Sequence, residues 1–161
     1  RWRNSPQINR QMTDTSYITP HQQRYWYERI KERDDQAHWV VLCKGVRAGY
    51  VNIKGEGPLE LQKDLSGGFY VGNSLVQHGL LGYAILMMQM DIVFLYLSAS
   101  QYRGSIRKSN YRARQLNQQL GYREEYENGS LVGVVLDPSD YKKAKKKFSK
   151  FFNDLRCQLI G

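Results

Sequence analysis

Two stretches of the chain stand out, the first of them with residue types at a spacing that could hold phosphates. The first is Gly68-Phe69-Tyr70-Val71, followed by Val76-Gln77-His78-Gly79-Leu80-Leu81-Gly82-Tyr83-Ala84. A glycine-bearing turn from strand into helix lets successive backbone N–H groups, together with the positive end of the helix, approach two phosphates. Small residues at Gly82 and Ala84 would let such a ligand lie close against the helix. They would serve close helix packing equally well. The second stretch runs Asn110-Tyr111-Arg112-Ala113-Arg114-Gln115-Leu116-Asn117-Gln118-Gln119-Leu120-Gly121-Tyr122, with an apolar face at helical spacing and a glycine where a helix would end. Elsewhere the chemistry-bearing residues are scattered. Cys43 and Cys157, with His21, His38 and His78, form no ligand spacing, so no metal is expected and both thiols read as buried or idle.

The elements that must position these stretches follow from periodicity. A helix is expected over residues 20–33, where Tyr25, Trp26 and Ile30 share a face, and a hairpin over 38–43 and 46–53 turning at Lys44-Gly45. Further strands are expected at 59–64 and at 68–71 after the Ser66-Gly67-Gly68 break, then a long apolar helix over 76–94 and a short buried strand at 95–99. The second stretch becomes a helix over 109–120. Strands at 122–127 and 131–136, joined by Asn128-Gly129, precede a terminal helix in which six lysines between 142 and 150 oppose Phe148, Phe151, Phe152 and Leu155. Residues 2–12 read as polar and irregular. With 161 residues, 41% of them hydrophobic, and no linker-like stretch, residues 1–161 are read as one α/β or α+β domain.

The order, spacing and context of the two stretches resemble the cofactor-binding core of the GNAT superfamily of N-acetyltransferases. The first resembles the family's pyrophosphate loop, R/Q-x-x-G-x-G/A, with Gly79, Gly82 and Ala84 at its first, fourth and sixth positions and Gly79 replacing the usual Arg or Gln. The second resembles N-x-x-A-x-x-L-Y-x-x-x-G-F, with Asn117 standing at the tyrosine position. The resemblance implies a central, mixed, mostly antiparallel twisted sheet, split between two strands and flanked by helices. It implies acetyl-CoA as cosubstrate, its pantetheine arm lying between the strands at 68–71 and 95–99. Phe69, Tyr70, Val71, Gln77, His78, Gly79, Leu80, Leu81, Gly82, Tyr83, Ala84, Asn110, Ala113 and Asn117 would then contact it.

The mechanism so implied is direct attack of an amine on the thioester. The protein must supply a neutral amine, donors to the carbonyl oxygen and a partner for the leaving thiolate. Backbone N–H groups around Tyr70 and Val71 are the expected carbonyl donors. Asn117 can donate a hydrogen bond to a thiolate but cannot deliver a proton at neutral pH, so water, Tyr111 or Tyr102 must do so. Glu60, His38 or an ordered water could take the proton of the amine. A relative that binds coenzyme A without turnover is also admitted.

Trp2-Arg3-Asn4, Thr19-Pro20-His21-Gln22-Gln23 leading into Tyr25-Trp26-Tyr27, and Val46-Arg47-Ala48-Gly49-Tyr50 look like the subgroup that acetylates the 4-amino group of a UDP-linked 4,6-dideoxy amino sugar in pseudaminic acid synthesis. That places Arg3, Asn4, Tyr25 and Trp26 near the acceptor. Related enzymes acetylate ribosomal-protein N-termini or polyamines, but a net charge of +9 favours a nucleotide diphosphate sugar over a cationic polyamine. From another class, the lysine cluster could make a basic nucleic-acid-binding module, although no recognition motif accompanies it and a solvated helix face explains it as well. No basic head with an apolar run opens the chain and no stretch reads as a membrane span, so a cytoplasmic protein is expected, with a homodimer admitted. The first few residues of the natural protein are expected to precede Arg1, and the family would require a first strand before Trp2.

Overall fold

The computed structural model describes residues 2–76, 79–148 and 157–161. Its centre is a seven-stranded sheet in the order β5-β6-β4-β3-β2-β1-β7. In chain order the elements are α1 (Pro6–Asn9), α2 (Pro20–Ile30), β1 (Gln36–Cys43), β2 (Val46–Lys54), β3 (Asp64–Val71), α3 (Leu81–Asp91), β4 (Gln101–Arg107), α4 (Tyr111–Gln119), β5 (Arg123–Asn128), β6 (Leu131–Leu136), α5 (Pro138–Phe148) and β7 (Cys157–Ile160). All neighbouring pairs are antiparallel except β3 and β4, which run parallel. This agrees with the expected mixed sheet flanked by helices.

Helix boundaries follow from local chemistry. Thr19 and Gln22 form a reciprocal capping box, with Pro20 in the first turn, so α2 begins where expected. At the end of α4, Tyr122 N–H bonds Asn117 O and Gly121 N–H bonds Gln118 O, both near 3.0–3.1 Å, with Gly121 at φ +92°. That is a Schellman ending, and only glycine enters it without strain. The body of α3 is apolar all round and buries Leu81, Ala84, Ile85, Leu86, Met87 and Met90 against the sheet on one side. On the other lies α5, whose Tyr141 hydroxyl donates to Met87 O at 2.9 Å and to Asp91 at 2.6 Å.

Several expected elements fall differently. Residues 59–64 are not a strand. Leu59–Leu61 forms a 3-10 turn after Pro58, and β3 starts at Asp64 and runs unbroken through Ser66-Gly67-Gly68. Gly67 sits inside the strand because a side chain there would collide with the Asn52 carbonyl and crowd the Tyr102 hydroxyl. The apolar helix starts at Leu81, later than expected, and runs on as a π-helical turn over Ile92–Tyr96, which replaces the strand expected at 95–99. Leu95 and Tyr96 are exposed, the chain reverses at Ser98 (φ +53°), and the strand itself is Gln101–Arg107. Its inward residues Tyr102, Gly104 and Ile106 do alternate, but the apolar run just before them draws the eye. The last hairpin turns one residue later than expected, because Asn128 pairs with Leu131 and leaves Gly129-Ser130 as the loop. Residues 2–12 contain a 3-10 turn (Trp2–Asn4) and α1. Cys157–Ile160, where the sequence offered no strand, is a strand on β1 that brings Cys157 opposite Cys43. Phe151, Phe152 and Leu155 lie outside the described residues.

Candidate active site

The sheet parts where the parallel pair β3 and β4 should continue. β3 and β4 are matched at Asp64 with Gln101, Leu65 with Tyr102 and Ser66 with Arg103, and their ladder stops there. Beyond it, among the described residues, 67–71 pair only with β2 and 104–107 only with β6. The split therefore lies between β3 and Gln101–Arg107, not between β3 and residues 95–99. Gly72 N–H bonds Ala48 O on β2 at 2.8 Å. Backbone polar groups alternate along a strand, so those of Phe69 and Val71 turn the other way, into the gap.

Gln89 anchors the closed end. Its side chain is wholly buried in α3, and its Nε2 donates to Asn52 O on β2 at 2.6 Å and to the Tyr102 hydroxyl on β4 at 2.8 Å. Asn52 thus loses its carbonyl to the ladder and offers its side-chain oxygen to Gly68 N–H instead, at 2.8 Å. Tyr102 is almost fully buried, and burial raises the pKa of its hydroxyl far above the ordinary value. It belongs to the core, where its hydroxyl accepts from Gln89.

The head of α3 stands beside the open end. Leu80 precedes the helix without a side-chain cap, so the first-turn N–H groups have no partner from that residue. Gly79 has open space where a side chain would be, whereas a Cβ on Gly82 would meet Leu116 of α4 at 2.9 Å and Phe69 of β3 at 3.9 Å. Gly82 is therefore where α3, α4 and β3 converge. Leu81 and Ala84 face the core, and Tyr83 bonds Gln119 and stacks on Phe148. Gln77 and His78 lie outside the described residues.

Asn110 caps α4, its side-chain oxygen accepting from Ala113 N–H at 3.2 Å. Asn117 and Ala113 are half-buried on that helix, while Tyr111 is 74% exposed. Glu60 is exposed on the 3-10 turn before β3, at the closed end of the sheet and away from the gap.

The opposite face of the sheet is covered by the N-terminal segment. Trp2 packs directly on Gly72, just past the end of β3, and Arg107 at the end of β4 donates to Met12 O at 2.5 Å and Thr13 O at 3.2 Å. The segment between them crosses the mouth of the split. Asn4 ties it to Ile18 through both side-chain atoms, accepting from Ile18 N–H at 2.9 Å and donating to Ile18 O at 2.6 Å, and Arg3 bonds Asp14 O. Those contacts leave Asn4 occupied with holding the strap. Tyr25 is exposed with Arg29 over its ring, and Trp26 presents its edge to His38.

Beneath this cover a row of rings crosses three strands. His38 stacks on Tyr50 at 5.9 Å between centroids and Tyr50 on Tyr70 at 5.4 Å. His38 Nδ1 lies 2.5 Å from the Tyr50 hydroxyl and Nε2 lies 2.9 Å from Gln36 Oε1. Burial, then Lys54, lowers the His38 pKa against an opposing pull from Asp35; burial raises those of Tyr50 and Tyr70. In sequence His38 is a candidate base and Tyr50 is not singled out beside it, since only the β1–β2 register brings the two together. Among the described residues, no group of three His, Cys, Asp or Glu side chains could hold a metal ion, and no helix is long and apolar enough to cross a membrane. On α5, Lys143 pairs with Asp140 and Lys145 with Asp91.

Solved structures share this architecture. The Campylobacter jejuni N-acetyltransferase PseH in complex with acetyl coenzyme A matches with a TM-score of 0.66 at 16% identity over 86% of each chain. The spermidine N-acetyltransferase from Vibrio cholerae, in complex with CoA and spermine, matches with a TM-score of 0.74 at 14% identity over 88% of each chain. FdhC, a nucleotide-linked sugar GNAT, matches with a TM-score of 0.75 at 15% identity over 93% of this chain and 85% of that one. No family model and no curated protein matches the sequence. The chain has the GNAT fold.

Proposed function

We propose that the protein is an N-acetyltransferase that moves the acetyl group of acetyl-CoA to a primary amine by direct attack. The observation that carries this reading is the ladder between β3 and β4 that ends at Ser66 and Arg103 beside the uncapped head of α3. A gap between parted strands accepts the extended pantetheine arm, and a helix start with spare N–H groups suits a diphosphate. Gly79, Leu80, Leu81, Gly82, Tyr83 and Ala84 would line the diphosphate end. Phe69, Tyr70, Val71, Asn110, Ala113 and Asn117 would line the arm.

In the reaction the amine nitrogen forms a bond to the thioester carbonyl carbon and the carbon–sulfur bond breaks, its electron pair leaving on sulfur. The N–H groups of Phe69 and Val71 are turned to receive the carbonyl oxygen as charge develops on it. Asn117 would donate to the thiolate, and water or the exposed Tyr111 would supply its proton. We assign as acceptor the 4-amino group of a UDP-linked 4,6-dideoxy sugar. The basic balance of the chain supports an anionic acceptor over a polyamine, and two of the matched structures are PseH and a nucleotide-linked sugar GNAT.

The test is thiol release from acetyl-CoA in the presence of that UDP-4-amino sugar, spermidine or a ribosomal-protein N-terminal peptide. Release with the sugar alone supports the full assignment, and release with another amine moves the acceptor. Silence with all three, together with no rise in melting temperature under acetyl-CoA, removes the enzyme reading. Coenzyme at 100 times its dissociation constant should add about 2.7 kcal/mol of stability.

A further inference from the structure

We propose that Tyr50 and His38 form a proton relay on the acceptor side of the gap, Tyr50 taking the proton of the attacking amine as its own hydroxyl proton passes to His38 Nδ1. The proposal rests on the acetyl-transfer reading and deepens it by naming the base.

The hydrogen bonds fix the direction of transfer. A carboxamide oxygen only accepts, so the 2.9 Å contact to Gln36 Oε1 requires the proton of neutral His38 to sit on Nε2. Nδ1 is then a bare acceptor, and the Tyr50 hydroxyl 2.5 Å away must donate to it. Trp26, edge-on at 5.0 Å, and the stacked Tyr50 hold the imidazole plane. Tyr70, stacked on the far side of Tyr50, carries the row of rings to the end of β3, where the gap opens.

The surroundings keep the relay loaded at neutral pH. His38 faces Lys54 on β2, Asp35 before β1, Gln36, Tyr50 and Trp26 from α2. Burial and the Lys54 charge outweigh Asp35, so the ring stays unprotonated below its ordinary value of about 6.5. Burial keeps the Tyr50 hydroxyl protonated. Tyr50 therefore does not act as a free phenolate, and it passes a proton on only as it receives one. During attack the amine loses H⁺ to Tyr50 Oη, Tyr50 loses H⁺ to Nδ1, and the imidazolium keeps its Nε2–H on Gln36. After the amide departs, the extra proton returns through Tyr50 to water.

The experiment compares the wild-type chain with Tyr50→Phe, which keeps the ring stack, and His38→Gln, which keeps an acceptor near Tyr50 but cannot hold the proton. Turnover of the UDP-4-amino sugar, or of spermidine if the sugar is refused, is followed against pH, with acetyl-CoA binding read separately by melting. Both variants should bind acetyl-CoA as wild type does and lose about 10²-fold in kcat/KM at pH 7. Wild type and both variants should climb with the free amine up to its pKa, and the wild type alone should fall more steeply below the lowered His38 pKa, an inflection that each variant should lack. Variants that retain the wild-type rate and profile overturn the relay and leave acetyl transfer standing. A wild-type chain that turns over none of the sugar, spermidine and the ribosomal-protein N-terminal peptide overturns both. Independently of turnover, nitrogen NMR of the imidazole should show Nε2 protonated and Nδ1 bare, and the opposite tautomer overturns the relay.

Discussion

The two faces of β3 are built on different principles. On the α3 face, Leu65 and Phe69 meet an apolar helix that carries the buried Gln89, and what reaches the gap is backbone: N–H groups of a strand and of a helix start. On the other face, Tyr70 joins Tyr50 and His38 under a thin strap of irregular chain, and what reaches the gap is side-chain chemistry. A cosubstrate held by backbone can be shared across divergent chains, whereas a face furnished with side chains can be refitted for a new acceptor. Donors and acid–base groups should therefore fail in different ways when altered.

Removing a backbone donor should have the largest effect. Val71 points its N–H into the gap rather than into the ladder, so Val71→Pro deletes that donor while sparing the pairing with β2. We expect kcat to fall about 10²- to 10³-fold, the cost seen for one carbonyl donor, with melting little changed. A variant that folds and works at the wild-type rate would show that this N–H is not a donor to the carbonyl. It would also remove the contrast between the faces.

Next comes the anchor between the faces. Gln89→Leu leaves the Asn52 carbonyl and the Tyr102 hydroxyl without their buried donor. Each buried group so orphaned costs about 1 to 3 kcal/mol, and the leucine recovers part of that by packing, so urea unfolding should report a loss of roughly 2 to 3 kcal/mol. If stability were unchanged, the closed end of the split would owe nothing to Gln89.

What could be read beforehand divides along the same line. The α3 face was readable because backbone geometry constrains residue type locally: the glycines of the first stretch, and the Asn110 cap and Gly121 ending of α4, sit within short windows. The strand that completes the gap was misplaced because the apolar residues 95–97, which continue the helix as a π turn, outweighed the alternation of Tyr102, Gly104 and Ile106. The relay pair was unreadable for another reason. His38 and Tyr50 are 12 residues apart and meet only because β1 and β2 adopt one register, with a shift between Val41 and Leu42. Nothing in a local window marks that meeting, and the same holds for Gln89 and its partners on two other strands.

Gly82 tests whether a residue on the backbone-built face serves packing or the cosubstrate. Its absent side chain would meet only the flexible tip of Leu116 within 3.4 Å. A helical Gly→Ala change favours the helix by about 1 kcal/mol, so Gly82→Ala should leave stability unchanged or slightly raised once Leu116 gives way. If the glycine is there for packing alone, the apparent affinity for acetyl-CoA should stay where it is. If the cosubstrate lies against this turn, the KM for acetyl-CoA should rise several-fold in a protein that is no less stable. That opposite movement of stability and affinity is the expected result, and steady-state kinetics with a melting curve on the same sample would read it.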